Sequence, residues 1–200
     1  MHRSQIIHIT TGNLEIMVRT VVKENPKNIA VIDVFSALVE NRIIFIDGVI
    51  DDELANGVIA QMLYLNALDK EKEISIYINS PGGSVYDGLA IWDVSKVIEA
   101  PIKTVGIGLA ASMGAFLMLM GKKRVGLKHS RYMLHQVSSG MRGKFSDIEI
   151  ELQQAKELQD DLYKIIKEHT TIQNPEELLK PDNWYNAEKA LEIGILTEVK

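Results

Sequence analysis

The sequence predicts an α/β fold, and three observations carry that prediction. Period-two runs rich in β-branched residues recur at 42–46, 73–79, 101–105 and 131–136. Segments with apolar residues at three- and four-residue steps lie between them. Glycine, proline and Asx residues punctuate the junctions, so strands and helices alternate along the chain.

In chain order, residues 1–28 show loose alternation (Ile7, Ile9; then Leu14, Ile16, Val18) around a turn signal at Thr11-Gly12-Asn13. A hairpin or an N-terminal arm is expected there, followed by a loop at Glu24-Asn25-Pro26-Lys27. A mixed apolar segment, 29–38, leads into the strand 42–46, which Asp47-Gly48 should close. Asp51 and Asp52 are acidic start signals for a helix with Leu54, Val58, Met62 and Leu65 on one stripe. The strand 73–79 runs into Ser80-Pro81-Gly82-Gly83-Ser84 and a helix carrying Val85, Leu89, Trp92 and Lys96. Pro101, Ile102, Thr104 and Val105 read as the next strand, and Phe116 to Met120 as a buried helix. After the strand ending at His135 and a loop with Gly140 and Gly143 comes a long amphipathic helix, 144–170. Its stripe is Ile148, Leu152, Ala155, Leu158, Leu162 and Ile166, longer than one domain face needs, so it is expected to project. Asn174-Pro175 starts a short helix that Pro181 stops; 187–193 is a last helix ended by Gly194, and 195–199 a last strand.

Two hundred residues with 46% hydrophobic and 24% charged content suit one globular domain with a substantial core. A net charge of −5 argues against nucleic-acid binding, which needs clustered cations. Two short basic groups, Lys122-Lys123-Arg124 and Lys128-His129-Ser130-Arg131, are expected to be solvated loop faces. Without cysteine, disulfides, thiolate catalysis and Cys-ligated zinc are excluded, and neither metal nor cofactor is expected. The apolar run near Leu109 to Met120 is too short to span a bilayer, and the N-terminus lacks a secretory core. A cytoplasmic protein is expected.

The chemistry concentrates in two glycine-rich junctions. In Ala110-Ala111-Ser112-Met113-Gly114 one hydroxyl sits among residues with almost no side-chain bulk, a relative of the nucleophile elbow G-x-S-x-G with Ala110 at the first glycine. Taken alone, the run reads as a tightly packed core helix, and only the second junction reverses that reading. The second junction, at Pro81-Gly82-Gly83, presents bare backbone N–H groups of the kind an oxyanion hole requires. It is no phosphate loop, because no Gly-Lys-Ser/Thr follows at the needed spacing. The chain therefore shows no means of hydrolysing ATP itself.

Four segments in this order resemble the Clp protease proteolytic subunit (ClpP) family: Tyr77-Ile-Asn-Ser-Pro-Gly-Gly83, Ala110-Ala-Ser-Met-Gly-Ala115, Ser130-Arg-Tyr-Met-Leu-His-Gln136 and Asp147-Ile-Glu-Ile150. The resemblance runs from about Val34 to Val199 and implies a crotonase-like superhelix of β-β-α units with a projecting handle helix. It divides the chain into an N-terminal arm or axial segment (1–28) and one peptidase domain (29–200), with the handle at about 137–170. It implies a serine peptidase with Ser112 as nucleophile, His135 as general base and Asp182 as the acid that orients the imidazole. Gly83 and Met113 would supply the oxyanion N–H groups. Residue type alone would also allow Asp147, Asp160 or Asp161 as the acid, and alignment through Asp182-Asn-Trp-Tyr-Asn-Ala187 favours Asp182. Of the other histidines, His2, His8, His129 and His169, the last reads as dipole compensation at a helix C-terminus.

The implied partners are a polypeptide substrate, copies of the same chain in two stacked heptamers (a tetradecamer), and an AAA+ unfoldase. The chain departs from the family at Lys180, Pro181 and Asn183 around the acid, at Val137 after His-Gln, and at Ser139-Gly140 in the handle loop. Those flanks usually carry charged pairs that link the rings, so ring coupling is where the pattern is least matched. The rival readings are a regulatory or weakly active paralogue serving as a structural subunit, and a crotonase-like acyl-CoA enzyme with the same paired N–H groups.

Overall fold

The computed structural model describes residues 3–11, 14–25, 28–138 and 140–200. Gly12-Asn13 of the expected turn, Pro26-Lys27 of the expected loop and Ser139 fall outside the described residues; Glu24 and Asn25, expected in that loop, instead end a strand, held there by pairing with Ile29 and Asn28. The N-terminal segment forms an antiparallel three-stranded sheet of β1 (Arg3–Thr11), β2 (Leu14–Asn25) and β3 (Asn28–Asp33). The expected hairpin is present, with Arg3 opposite Val22 and Thr11 opposite Leu14. Helix α1 (Val34–Val39), capped by the Asp33 carboxylate on the Ser36 N–H, replaces part of the apolar segment expected at 29–38.

The rest is an α/β unit around one branched seven-stranded sheet. Its parallel path is β4 (Ile43–Ile50), β5 (Ile74–Gly83), β6 (Ile102–Ala111), β7 (Lys123–Gly126) and β10 (Glu198–Val199). Helices α2 (Asp52–Leu68), α3 (Val85–Val97) and α4 (Met113–Met118) connect consecutive strands from β4 to β7. Strands β4 and β5 bury one period-two face, Ile44 and Ile46 in β4 and Ile74, Ile76 and Ile78 in β5. Val58, Met62 and Leu65 of α2 are buried with them, and Asp51 caps that helix by accepting the Leu54 N–H at 2.9 Å.

Strand β6 changes partners along its length. Residues 103–106 pair with β7, whereas 109–111 pair with β8 (Arg131–Leu134). Strand β8 in turn pairs antiparallel with β9 (Asn183–Asn186), a strand that the sequence reading left unassigned. Near the fork two ladders are irregular: the β4–β5 register shifts between Asp47 and Val49, with the extra residue on β5, and the β5–β6 register between Ile78 and Ser80, with the extra residues on β6. The first strand therefore does not close at Asp47-Gly48 but continues to Ile50.

Helix α5 (Phe145–His169) is 25 residues, about 37 Å long at the usual rise. Only Leu162, Tyr163 and Ile166 are buried; Phe145, Ile150 and Leu152 of the same helix stay exposed. The helix therefore projects, as its stripe predicts. Helix α6 (Pro175–Leu178) ends before Pro181, and α7 (Ala187–Glu192) is capped by the Asn186 side chain on the Lys189 N–H.

Two surface expectations fail. Arg124 is half-buried in β7, not solvated: its guanidinium donates to the carbonyls of Gly121, His169, Gly194 and Ile195. Gly121, His169 and Gly194 lie at or just past the ends of α4, α5 and α7, and the unsatisfied carbonyls of helix C-termini draw cations. Ser130 is buried too, bonded to the Leu127 carbonyl and to the Tyr132 hydroxyl at 2.8 Å. His169 sits edge-on to Trp92 with ring centroids 5.2 Å apart, and its Nδ1 is 3.0 Å from the Ile165 carbonyl. Burial, foremost, lowers the affinity of its imidazole for a proton, and the Ile165 carbonyl at the helix end opposes that.

Candidate active site

The site forms at the fork of β6. Ser112 follows the last residue of that strand and precedes α4, with φ 53° and ψ −125°. Side chains avoid this region, and holding one there costs about 1–3 kcal/mol. Three contacts enforce it. The Ser112 N–H donates to the Met133 carbonyl of β8 at 2.8 Å, and its own carbonyl accepts from Ala115 and Phe116. Gly82 packs against the other side, where a Cβ would lie 2.6 Å from Ser112 Cβ and 2.8 Å from the Ala111 carbonyl oxygen. Serine at the elbow and glycine beside it are one steric requirement.

His135 follows β8 directly. Because Ala111 pairs with Met133, the residues just past each strand meet: His135 Nε2 lies 2.8 Å from Ser112 Oγ. Asp182 reaches the imidazole through the other edge of β8. Leu134 pairs with Asn183, so the antiparallel register sets Asp182 beside His135. Asp182 Oδ1 is 3.5 Å from His135 Nδ1, and the Asp182 side chain is 65% exposed. That is an ion-pair distance and not a tight hydrogen bond. Asp147, Asp160 and Asp161 lie on α5, and Asp161 pairs there with Lys164.

Gly83 lies at the end of β5, paired with Ile50 of β4. A Cβ at Gly83 would fall 2.1 Å from the Ile50 carbonyl oxygen, so no other residue fits without moving β4. Met113 is buried, its side chain against Gly88 of α3, and its backbone nitrogen faces the Gly82 turn. Gly83, Ser112, Met113 and His135 line one cavity of about 40 Å³ together with Phe116 and Leu162. The five residues singled out from the sequence thus converge on one place, with Asp182 at its wet edge. Among the described residues no group of three or more His, Asp or Glu side chains is arranged to hold a metal ion.

Sequence reasoning missed several supports. Ser80 is fully buried beneath the glycine turn, donating to the Gly48 carbonyl at 2.6 Å and accepting the Gly82 N–H at 3.0 Å. Its signal was present: Ile74, Ile76, Ile78 and Ser80 continue one period-two face inward. Asn183 holds the turn that carries Asp182, its amide donating to the carbonyls of Leu178 and Pro181. Gln136, next to His135, is anchored through its N–H to the Leu179 carbonyl and its amide to the Tyr163 hydroxyl.

The chain matches the model of the Clp protease family over residues 26–200. Curated relatives named ATP-dependent Clp protease proteolytic subunit are similar over most of their lengths. The one from Porphyromonas gingivalis is 42% identical over 184 residues, 90% of this chain and 83% of that protein. Those from Bacteroides thetaiotaomicron and Bacteroides fragilis are 43% and 44% identical over 183 residues, covering 90% of this chain and 83% and 88% of theirs. With a match across nearly the whole chain and this identity to full-length relatives, the chain belongs to the Clp protease family.

Proposed function

We propose that this chain is the proteolytic subunit of an ATP-dependent Clp protease, a serine endopeptidase acting on unfolded polypeptides and peptides. One observation carries the reading: the 2.8 Å contact of Ser112 Oγ with His135 Nε2, at an elbow that abuts the Gly82-Gly83 turn. A serine hydroxyl is a poor nucleophile until a base takes its proton. His135 Nε2 accepts that proton as Oγ bonds to the scissile carbonyl carbon. The carbonyl oxygen becomes an oxyanion facing the Gly83 and Met113 amides. As the C–N bond breaks, the imidazolium returns the proton to the departing amine, leaving an ester on Ser112. Water, deprotonated by the same imidazole, hydrolyses that ester and restores the hydroxyl. Asp182 steadies the imidazolium from Nδ1.

The test is hydrolysis of a fluorogenic peptide by the purified chain, with fluorophosphonate labelling located by mass spectrometry. Modification of Ser112, with activity lost in Ser112→Ala, is expected. Labelling elsewhere, or full activity in that variant, overturns the reading.

The exposed first turns of α5 and the apolar Phe145, Ile150 and Leu152 on them support assembly through this helix. The assembly fitting the family is two stacked heptamers in the cytoplasm, with residues 1–28 as an axial arm and 29–200 as the peptidase domain, the handle at 137–170. An AAA+ unfoldase would supply substrate. Native mass spectrometry tests it, a tetradecamer being expected and a stable monomer excluding it. Among the described residues no helix is long and apolar enough to cross a membrane. One observation favours a second reading, a subunit of low intrinsic activity serving a paralogue: the open 3.5 Å contact to an exposed Asp182. Turnover per labelled Ser112 separates the two.

A further inference from the structure

Ser80 takes no part in the chemistry above, yet it lies where both glycine turns meet. It pairs with Ala110 across β5 and β6, two residues before Ser112. A Cβ on Gly114, two residues after Ser112, would sit 3.0 Å from the Ser80 carbonyl oxygen and 3.2 Å from its Cβ. Its hydroxyl spans the irregular stretch of the β4–β5 pairing. The Oγ–H donates to the Gly48 carbonyl at 2.6 Å, and an Oγ lone pair accepts the Gly82 N–H at 3.0 Å. Both strands depart from regular ladder pairing at this level, since registers slip between Asp47 and Val49 and between Ile78 and Ser80. The hydroxyl therefore replaces ladder bonds that the bulges remove. It fixes the Pro81–Gly82 peptide plane through the Gly82 N–H, and the next N–H along the chain is that of Gly83. Serine is fully buried here, with both hydrogen-bonding roles engaged, in a strand face otherwise made of isoleucine.

We infer that Ser80 is a positioning residue for the Gly83 oxyanion amide, holding it through Gly82 without touching substrate. The inference rests on the peptidase reading above and deepens it. An amide displaced from the oxyanion loses most of its effect, because such donors act by being aimed before charge develops. Misplacement of about 1 Å costs up to a hundredfold. Removing the hydroxyl should leave substrate binding intact and weaken only what resembles the transition state.

The experiment compares Ser80→Ala, Ser80→Cys and Ser112→Ala in the assembled protein, with a fluorogenic peptide and a peptide boronic acid whose adduct on Ser112 is tetrahedral. Ser80→Ala should lower kcat by about ten- to a hundredfold with KM within twofold, and weaken boronate inhibition by a similar factor. Ser80→Cys, retaining a poor donor and acceptor, should recover part of both. A kcat within twofold of the parent in folded Ser80→Ala overturns the inference. So does a loss shared equally by kcat and the active-site titre, which marks a merely structural role. If Ser80→Ala does not fold, unchanged kcat and boronate affinity in Ser80→Cys decide against it. Should Ser112→Ala keep its activity, the peptidase reading itself falls, an outcome the Ser80 variants do not mimic.

Discussion

The two partners of His135 are built very differently. On its Nε2 side, Ser112 is fixed by β8, by Gly82 and by the first turn of α4, in a backbone conformation that only such packing sustains. On its Nδ1 side, Asp182 stands 3.5 Å away at a turn between α6 and a four-residue strand, mostly in water. The proposed nucleophile and oxyanion amides belong to the sheet; the proposed acid lies beside its β9 edge. The difference teaches where catalytic power should reside. Groups that must meet the transition state within tenths of an ångström sit on buried strand ends, whereas the group that acts at one remove is left adjustable.

The sharpest break of this contrast is at the rigid side. Ser112→Ala or His135→Ala should lower kcat on the order of a millionfold, with the double variant no worse, since the pair acts as a unit. Steady-state hydrolysis with active-site titration measures this, and additive losses would contradict it. Next comes Gly83→Ala. A Cβ 2.1 Å from the Ile50 carbonyl oxygen must push β5 from β4, displacing the amide as well. Activity should fall about a hundred- to a thousandfold, and unfolding should cost about 1–3 kcal/mol less, as overpacked sites do. An alanine variant with parent-like kcat would show that the amide at 83 is not used.

The same contrast governs what could be read from the chain. Ser112, Gly82 and Gly83 were legible because a strained elbow and a backbone-on-backbone approach leave few residue choices, and small residues mark them. The period-two strands and the stripe on α5 were legible for the same reason, being imposed by one buried face. Arg124 was misread because three basic residues in a row look solvated, while the reason one of them turns inward, three converging helix ends, is tertiary. Strand β9 was missed because Asn183-Trp184-Tyr185-Asn186 alternates too briefly to stand out, and it exists by pairing with β8. Asp182 was placed by family resemblance. No local pattern announces an acid whose only duty is to face a residue that a distant strand delivers.

On the loose side the effects shrink. Removing a triad acid that is buried and hydrogen-bonded costs about ten thousandfold. At 3.5 Å and 65% exposure, Asp182 is screened by water, so Asp182→Asn should cost only about a hundredfold in kcat. Asn183→Ala, which frees the turn that carries the acid, should cost less still, about three- to tenfold. A loss in Asp182→Asn as deep as that of His135→Ala would mean that assembly closes the acid onto the imidazole.

The smallest effect lies at the opposite end of β6, about 30 Å from Ser112 along the strand, and concerns pH and not turnover. His169 packs on Trp92 and shares a cavity of about 430 Å³ with Lys96 and Arg124. Burial lowers its affinity for a proton most; Lys96 and Arg124 lower it further, while the Ile165 carbonyl and Glu168 oppose them. With the folded-state value below the unfolded one, the unfolded chain binds more protons wherever the two differ. The stability His169 contributes is therefore complete above its ordinary range near pH 6.5 and is lost as pH falls through the depressed folded value. Thermal melts from pH 7.5 to 5 should show the parent losing stability faster than His169→Asn across that window. Superimposable slopes would place the acid limb of stability elsewhere and leave His169 a packing residue only.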